Sequence, residues 1–488
     1  MRYVLGVDFG GSSSKATLLG EDGRVYAAAS REYPTYYPQN GWAEQDMEDS
    51  RRALTENIRE ILAKTGIDAA DIAALALDAA THTAVLTDEA GAPVRRSISW
   101  TDSRAGAEAD RLRRELGDSL LEECYNGVSS LWTLPQLMWL RAHEPAVLEK
   151  TKKLMAVKDW LRFRLTGDYA TDSIEAMGFM LLDARSNTWS ERLCALAGLD
   201  PAILPPVVDP AASMSPLTKE AQAETGLSAK TLVVAGAPDT VMEVFASGAA
   251  AVGQATVKLA TAGRICSITD RPVVDRRLVT YRHVVPGLWY PGTATKSCAS
   301  SNRWYRDTFG GDFAEMTAQA AQVPRGCEGL FFHPYLQGEI TPYLDDRLRA
   351  SFTGAAGFHT KAHFNRAVLE GVAYSMKDCF ETLRELGIAP TEAAAIGGGA
   401  KAPLWRQILA DMLNIPLRTV ENVDSSLGSA MLAGVAAGIF ADYRDAADRC
   451  VHVTGVTEPD PEGAAFYTER FALYKEIQAA LAPIYHKL

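Results

Sequence analysis

Cysteine is scarce and unpatterned in this 488-residue sequence. Seven residues, at 124, 194, 266, 298, 327, 379 and 450, make an odd count with no C-x-x-C spacing. That excludes a disulfide framework and a zinc knuckle, and points to a reducing, cytoplasmic setting. No run approaches the ~18 uninterrupted apolar residues of a membrane span. The opening MRYVLGVDFGG enters a strand pattern with no secretory leader ahead of it. Positive charge is in deficit: 49 Lys and Arg face 61 Asp and Glu, a formal charge of −12. Such a surface repels phosphate backbones and anionic lipid, so neither nucleic acid nor membrane is an expected partner. A Walker A loop, G-x-G-x-x-G, G-x-S-x-G and H-E-x-x-H are all missing. The commonest nucleotide, hydrolase and zinc-protease fingerprints therefore do not apply.

What is present is ordinary for a globular enzyme: 47% hydrophobic and 23% charged residues, in a chain long enough for two or three domains. Tyr3 to Val7 reads as a strand, GGSSS breaks it, and Lys15 to Leu19 resumes it. Glu21-Asp22-Gly23 marks a hairpin into a third strand, Val25 to Tyr33. Leu54, Ile58, Ile61 and Leu62 recur at helical spacing within a helix predicted over about 46–64, which Gly66 ends. IAALAL at 72–77 is a short buried strand, and residues 81–100 read as a further strand and hairpin. Polar helices are expected over about 104–195. A second cycle opens near 231. TLVVAGAPD is a strand ending in a small-residue turn, with a helix predicted over 241–251. Thr256 to Ala260, TAG, and Arg264 to Thr269 repeat the strand–turn–strand plan. AAAIGGGAKAPLWRQILADML is strand, glycine turn and helix, and SSLGSAMLAGVAAGIF is a small-residue helix built for close packing.

Three constellations carry candidate chemistry. Asp8 ends a strand before Gly10, Gly11, Ser12, Ser13 and Lys15. Glycine lets backbone N–H groups approach a phosphate closely, and hydroxyls donate further bonds; a plain hairpin turn is the alternative. Asp239 follows the strand Leu232–Ala235, where α/β sheets place chemistry; a helix cap is the alternative. Gly397, Gly398 and Gly399, ahead of Lys401 and Pro403, form a turn able to lie beneath a purine or accept phosphate; a tight connection is the alternative. Thr81-His82 and Trp100-Thr101-Asp102 offer polar and aromatic groups to a polyol, although a lone His is more often structural. His359 and His363 read as surface or capping residues.

Assembled in order, these segments resemble the FGGY carbohydrate kinases. GVDFGGSSSK resembles their first phosphate hairpin, and DAATHTAVLTDEAGAPVRRSISWTDSRA their sugar-binding hairpin. VAGAPDT resembles the segment of the catalytic Asp, and LATAGRI the second phosphate hairpin. HPYLQGEITPYLDDRLRASFTG and IGGGAKAPLWRQILADML resemble C-terminal family segments. The resemblance implies an α/β fold of two actin-like, ribonuclease-H-like domains with the active site in the cleft between them. Residues 1–245 would hold the sugar-binding and first phosphate hairpins, and 246–488 the nucleotide. It implies ATP and Mg²⁺ as cofactors and a small sugar or polyol as partner, and it is compatible with a homodimer. Asp239 would be the general base. Asp8 and Asp239 would hold the metal. Gly10, Gly11, Ser12, Ser13, Lys15, Thr261, Gly263, Gly398, Gly399 and Lys401 would face the nucleotide, and Thr81, His82, Trp100, Asp102 and Thr240 the sugar.

Within the family, the length, His82 and NGWAEQD look most like the xylulokinase branch, making D-xylulose the first-choice acceptor, phosphorylated to D-xylulose 5-phosphate. Another ketose, an alditol, an aldonate or glycerol is the alternative. A non-catalytic actin-like scaffold or chaperone is the alternative of another class. The sequence departs from the branch at Thr81, where Met is usual, and at Thr240, where Asn is usual. It also departs at Gly338-Glu339-Ile340-Thr341-Pro342, which lacks an Arg, and at Cys298–Arg303, where a nucleotide-contacting Gly is frequent.

Overall fold

The computed structural model describes residues 1–488. Strands β1 (Tyr3–Phe9), β2 (Ser13–Gly20) and β3 (Val25–Glu32) form an antiparallel meander. Strand β4 (Ile72–Ala79) adds parallel to β1, and the short β5 (Leu232–Val233) and β6 (Ala237–Pro238) add parallel to β4. The second sheet repeats the plan. Strands β7 (Gln254–Leu259), β8 (Gly263–Ser267) and β9 (Gly292–Thr295) are antiparallel. Strand β10 (Glu392–Ile396) runs parallel to β7, and β11 (Leu417–Val420) parallel to β10. Strand β12 (Val453–Thr457) closes that edge antiparallel. This duplicated sheet is the actin-like, two-domain α/β architecture.

Strand β1 is apolar along nearly its whole length because both of its faces are covered. On one side lies helix α1 (Met47–Thr65), begun by the Asp46 side chain accepting from the Glu48 N–H and ended by Gly66 at φ 64°. Helix α2 (Asp239–Ala246) follows β6, α3 (Lys361–Glu385) and α4 (Pro403–Leu413) cover the second sheet, and α5 (Ser425–Ala436) lies on the other face of β1. Small residues set that contact. A Cβ on Gly6 would sit 1.9 Å from the Ser426 carbonyl, and one on Gly428 2.1 Å from that of Met242. Only glycine permits backbone this close, so strand β1, α5 and α2 are stacked through their main chains.

The close-packing expectation for the 425–440 segment is met, but against the first sheet. One apolar core joins Val4 and Ala74 to Leu427, Met431 and Phe440, and also to Cys266, Tyr281 and Tyr290. The division at 245/246 is proposed as one of sequence; packing carries α5 back across it.

The strand and hairpin read over 81–100 are present: Ala84–Thr87 is a strand, and Leu86 and Thr87 face Val94 and Pro93 across a turn at 88–92. Ala84–Thr87 also pairs with Lys153–Ala156, and Ser97–Ile98 with Glu44–Gln45. The region 104–195 is largely helical, as expected, and Gly106–Cys124 is polar, but the region is not polar throughout. In Thr133–His143 the residues from Thr133 to Leu140 are all buried, and short strands interrupt the helices. The helix predicted over 241–251 occupies Asp239–Ala246 instead. His363 caps its helix, as read, in a reciprocal bond pair with Thr360.

Candidate active site

Three adjacent strands converge on the site. The register sets Asp8 beside Asp78 across β1 and β4, and Asp78 beside Ala237 across β4 and β6, two residues before Asp239. Burial and two neighbouring carboxylates push Asp8 up to about 7. Asp78 is fully buried and raised well above the carboxylate range, first by burial and then by Asp8. The Ser429 hydroxyl of α5 donates to Asp78 Oδ2 at 2.5 Å, while Asp78 Oδ1 has no partner. Lys15 Nζ lies 2.8 Å from Asp424, the N-cap of α5. The predicted Lys15 is therefore held by a carboxylate 409 residues away.

Asp239 does not cap its helix. It is the first helical residue, Pro238 occupies the cap position, and no side chain caps this end. Asp239 Oδ1 accepts from the Thr240 N–H at 2.6 Å and the Thr240 hydroxyl at 3.1 Å. Burial raises it to about 6, and the nearby Lys258 ammonium opposes the rise. A carboxylate poised near neutrality with one oxygen uncommitted is what a general base requires.

Both glycine turns show one device. The Gly10 carbonyl accepts from Tyr33 Oη at 2.6 Å, and that of Gly11 from Thr35 Oγ1 at 2.7 Å and Gln45 Nε2 at 2.8 Å. The Ala260 carbonyl accepts from the Ala299 N–H at 2.8 Å, and that of Thr261 from Ser300 Oγ at 2.8 Å. A planar trans peptide points its N–H opposite to its carbonyl. The N–H groups of Gly11, Ser12, Thr261 and Ala262 accordingly make no hydrogen bond within the chain. Such unpaired, co-oriented donors suit an anion.

The three consecutive glycines have separate reasons. Gly397 lies at φ 87°, and a Cβ there would meet the Leu259 carbonyl at 2.7 Å; one on Gly399 would meet Leu259 and Trp405 at 2.9 Å. Gly398 has open space before it. Gly10 and Gly11 are outside the left-handed region, and Gly11 faces open space; dihedral demand does not explain them. Gly263 packs on Met376, and Lys401 is exposed in the turn before α4.

On the sugar side, His82 is buried with φ 70°, a strained value for a bulky residue. Its Nδ1–H donates to the Gly178 carbonyl at 2.9 Å, and Nε2 accepts from Tyr281 Oη at 3.2 Å. Burial lowers it to about 4, so the ring is neutral. The Thr81 hydroxyl donates to Glu175 Oε1 at 2.8 Å; burial lifts Glu175 to about 8, and its Oε2 has no partner. Trp100 is 42% exposed and free to cover a ligand. Asp102 accepts from the Ala43 N–H at 2.6 Å, the Arg104 N–H at 2.8 Å and the Arg104 guanidinium at 2.7 and 2.9 Å. In this arrangement it braces the hairpin and has no free lone pair for a sugar.

Residues 3–246 match the N-terminal domain of the FGGY family of carbohydrate kinases, and residues 261–437 match its C-terminal domain. The chain belongs to the FGGY carbohydrate kinase family. It is 32% identical over 482 residues to a xylulose kinase of Bacillus subtilis (strain 168), covering 98% of this chain and 97% of that one. The crystal structure of xylulose kinase from Rhodospirillum rubrum superposes with a TM-score of 0.93 at 30% identity, covering 99% of this chain and 100% of that one. The gluconate kinase of Lactobacillus acidophilus superposes with a TM-score of 0.94 at 26% identity, covering 100% and 99%.

Sequence reading missed Asp78, Glu175, Tyr281, Asp424, Lys258 and Arg264 in this FGGY site. Asp78 carried a signal, a carboxylate inside an apolar strand. Lys258 and Arg264 did as well, being charged residues that bracket the second turn.

Proposed function

We propose that this FGGY kinase transfers the γ-phosphoryl group of ATP to a hydroxyl of a sugar held between the two sheets. The observation that carries it is Asp239, a part-buried, uncapping carboxylate raised to about 6, beside two turns with unpaired N–H groups. Asp239 accepts the hydroxyl proton as the oxygen attacks phosphorus, a contribution of typically ~10²–10⁴-fold. The free N–H groups of Gly11, Ser12, Thr261 and Ala262 face the phosphates, with Ser13, Lys15 and Gly263 beside them. Gly398, Gly399 and Lys401 floor the nucleoside. Thr81 and Thr240 act on the sugar side through Glu175 and Asp239, and the neutral His82 ring and Trp100 shape the pocket.

The residues fit a magnesium ion. No group of three or more His, Cys, Asp or Glu side chains forms a protein-only metal cage. Mg²⁺ is ordinarily held by one or two carboxylates together with water and substrate phosphates. Asp8 and Asp239 would hold it, with Asp78 beside Asp8 across the ladder. When bound, it neutralises charge on the phosphate oxygens.

The likeness to the Bacillus subtilis xylulose kinase supports D-xylulose as acceptor. The superposition on a gluconate kinase supports an aldonate as the second reading. A coupled ADP-release assay over pentuloses, hexuloses, alditols and aldonates is the test. Sugar-dependent ADP release supports a kinase; ATP binding with no acceptor turned over would leave only an actin-like scaffold.

A further inference from the structure

Arg264 is the second residue of β8, directly after the second phosphate turn. Three arginines whose side chains are enclosed are matched to carboxylates. Arg104 lies 2.7 Å from Asp102, Arg162 2.8 Å from Asp159, and Arg366 2.8 Å from Glu370. Arg264 has no such partner. Its guanidinium makes no ion pair and no hydrogen bond, and its Nη2 is shut off from solvent with nothing to donate to. Arg264 is part-buried, so its Nε and Nη1 still reach open space, while the enclosed Nη2 loses hydration that nothing replaces.

Its surroundings place it on the acceptor side. The guanidinium carbon lies 5.9 Å from the centre of the Tyr290 ring, and Tyr290 stacks on Tyr281 at 5.9 Å. Tyr281 in turn holds His82 Nε2 at 3.2 Å. Asp239 and His82 are both within electrostatic reach of Arg264. The opposing residue in the ladder, Lys258, is already paired with Glu243 at 2.7 Å. Arg264 thus stands as the unmatched cation among the pocket residues His82, Tyr281 and Asp239.

We propose that Arg264 is a specificity-determining residue that binds a carboxylate of the acceptor, so that the preferred substrate is a sugar acid rather than a neutral ketose. This inference rests on the sugar-kinase reading and selects among its acceptors. A planar guanidinium matches a carboxylate with two parallel N–H donors. A neutral ketose such as D-xylulose would leave those donors unmet, and a site with unmet buried polar groups discriminates strongly.

The test compares kcat/KM for D-gluconate and D-xylonate with that for D-xylulose, in the parent enzyme and in Arg264→Gln and Arg264→Ala. The parent should favour an acid over D-xylulose by about tenfold or more. Both variants should lose about 10²-fold on the acid, chiefly through KM, and far less on D-xylulose. Calorimetry of D-gluconate binding to the variants, alongside circular dichroism, separates lost recognition from lost folding. Equal losses on all acceptors would place Arg264 on the phosphoryl group instead and overturn the proposal, as would a parent that turns over D-xylulose and ignores the acids. No ADP release with any sugar would sink the kinase reading itself.

Discussion

The two glycine hairpins share a frame and differ in charge: one pairs a carboxylate with a cation, the other a cation with a cation. In the first, Asp8 faces Lys15 across the ladder, one register step before the turn; in the second, Lys258 faces Arg264 at the matching step. Both turns tie their carbonyls back to their own domain and leave N–H groups unpaired. The difference lies in what stands behind the donors. The first hairpin brings a carboxylate raised to about 7, suited to a cation that bridges phosphates. The second brings two cations toward Asp239. On the proposed function, one backbone device would serve anion binding twice, with the side chains behind it dividing the labour between nucleotide and acceptor.

The largest effect is expected where the hairpins meet. Asp239→Asn keeps size and cannot take a proton, so turnover should fall by about 10²–10⁴-fold with folding and ATP binding nearly intact. A variant turning over at the parent rate would remove Asp239 from the chemistry. Next comes the first turn. Gly11→Val should fold normally, because Gly11 has an ordinary φ and open space before it. The added side chain would stand where phosphate approaches, weakening ATP by about 10- to 100-fold in calorimetry. Unchanged ATP affinity would make the two turns unequal in function.

The second hairpin acts on the base. Lys258 holds Asp239 below the value burial alone would give. Activity should rise with pH through about 6 as Asp239 loses its proton. In Lys258→Met that rise should move upward by about one pH unit; an unmoved profile would uncouple the pair. The smallest effect contrasts neighbouring glycines. Gly397→Ala, at φ 87°, should cost about 1–3 kcal/mol in denaturant unfolding. Gly398→Ala should change stability by less than about 0.5 kcal/mol while weakening nucleotide binding. Equal costs would mean that Gly398 is as structural as Gly397.

The sequence made the strands and turns legible because their signals are local. Alternating or continuous apolar runs, broken by glycine, marked β1, β2, β7, β8 and β10 and the turns between them. The candidate base was legible from a carboxylate at a strand end. Its freedom from capping was not, since Pro238 takes the cap position only in three dimensions. The hairpin turn within 81–100 was legible, but the further pairing of its strands with 153–156 and 44–45 was not, because those partners lie far away in sequence. Thr81 and Asp102 were legible as site neighbours. Their bonds to Glu175 and Arg104 were not, because those partners are chosen by packing or by side-chain rotamer.

By itself the sequence determined two sheet cycles, three glycine turns and the carboxylates at strand ends, since each depends on residues a few positions apart. Only the tertiary structure decided what those groups face. Lys15 meets Asp424 across 409 residues, Asp78 meets Ser429 across 351, and Tyr281 meets His82 across 199. No local pattern encodes such pairs, because they are set by how α5 and the 272–290 segment pack on the first half of the chain. The same packing leaves Arg264 unpaired: a charge is matched or unmatched only by what folds beside it.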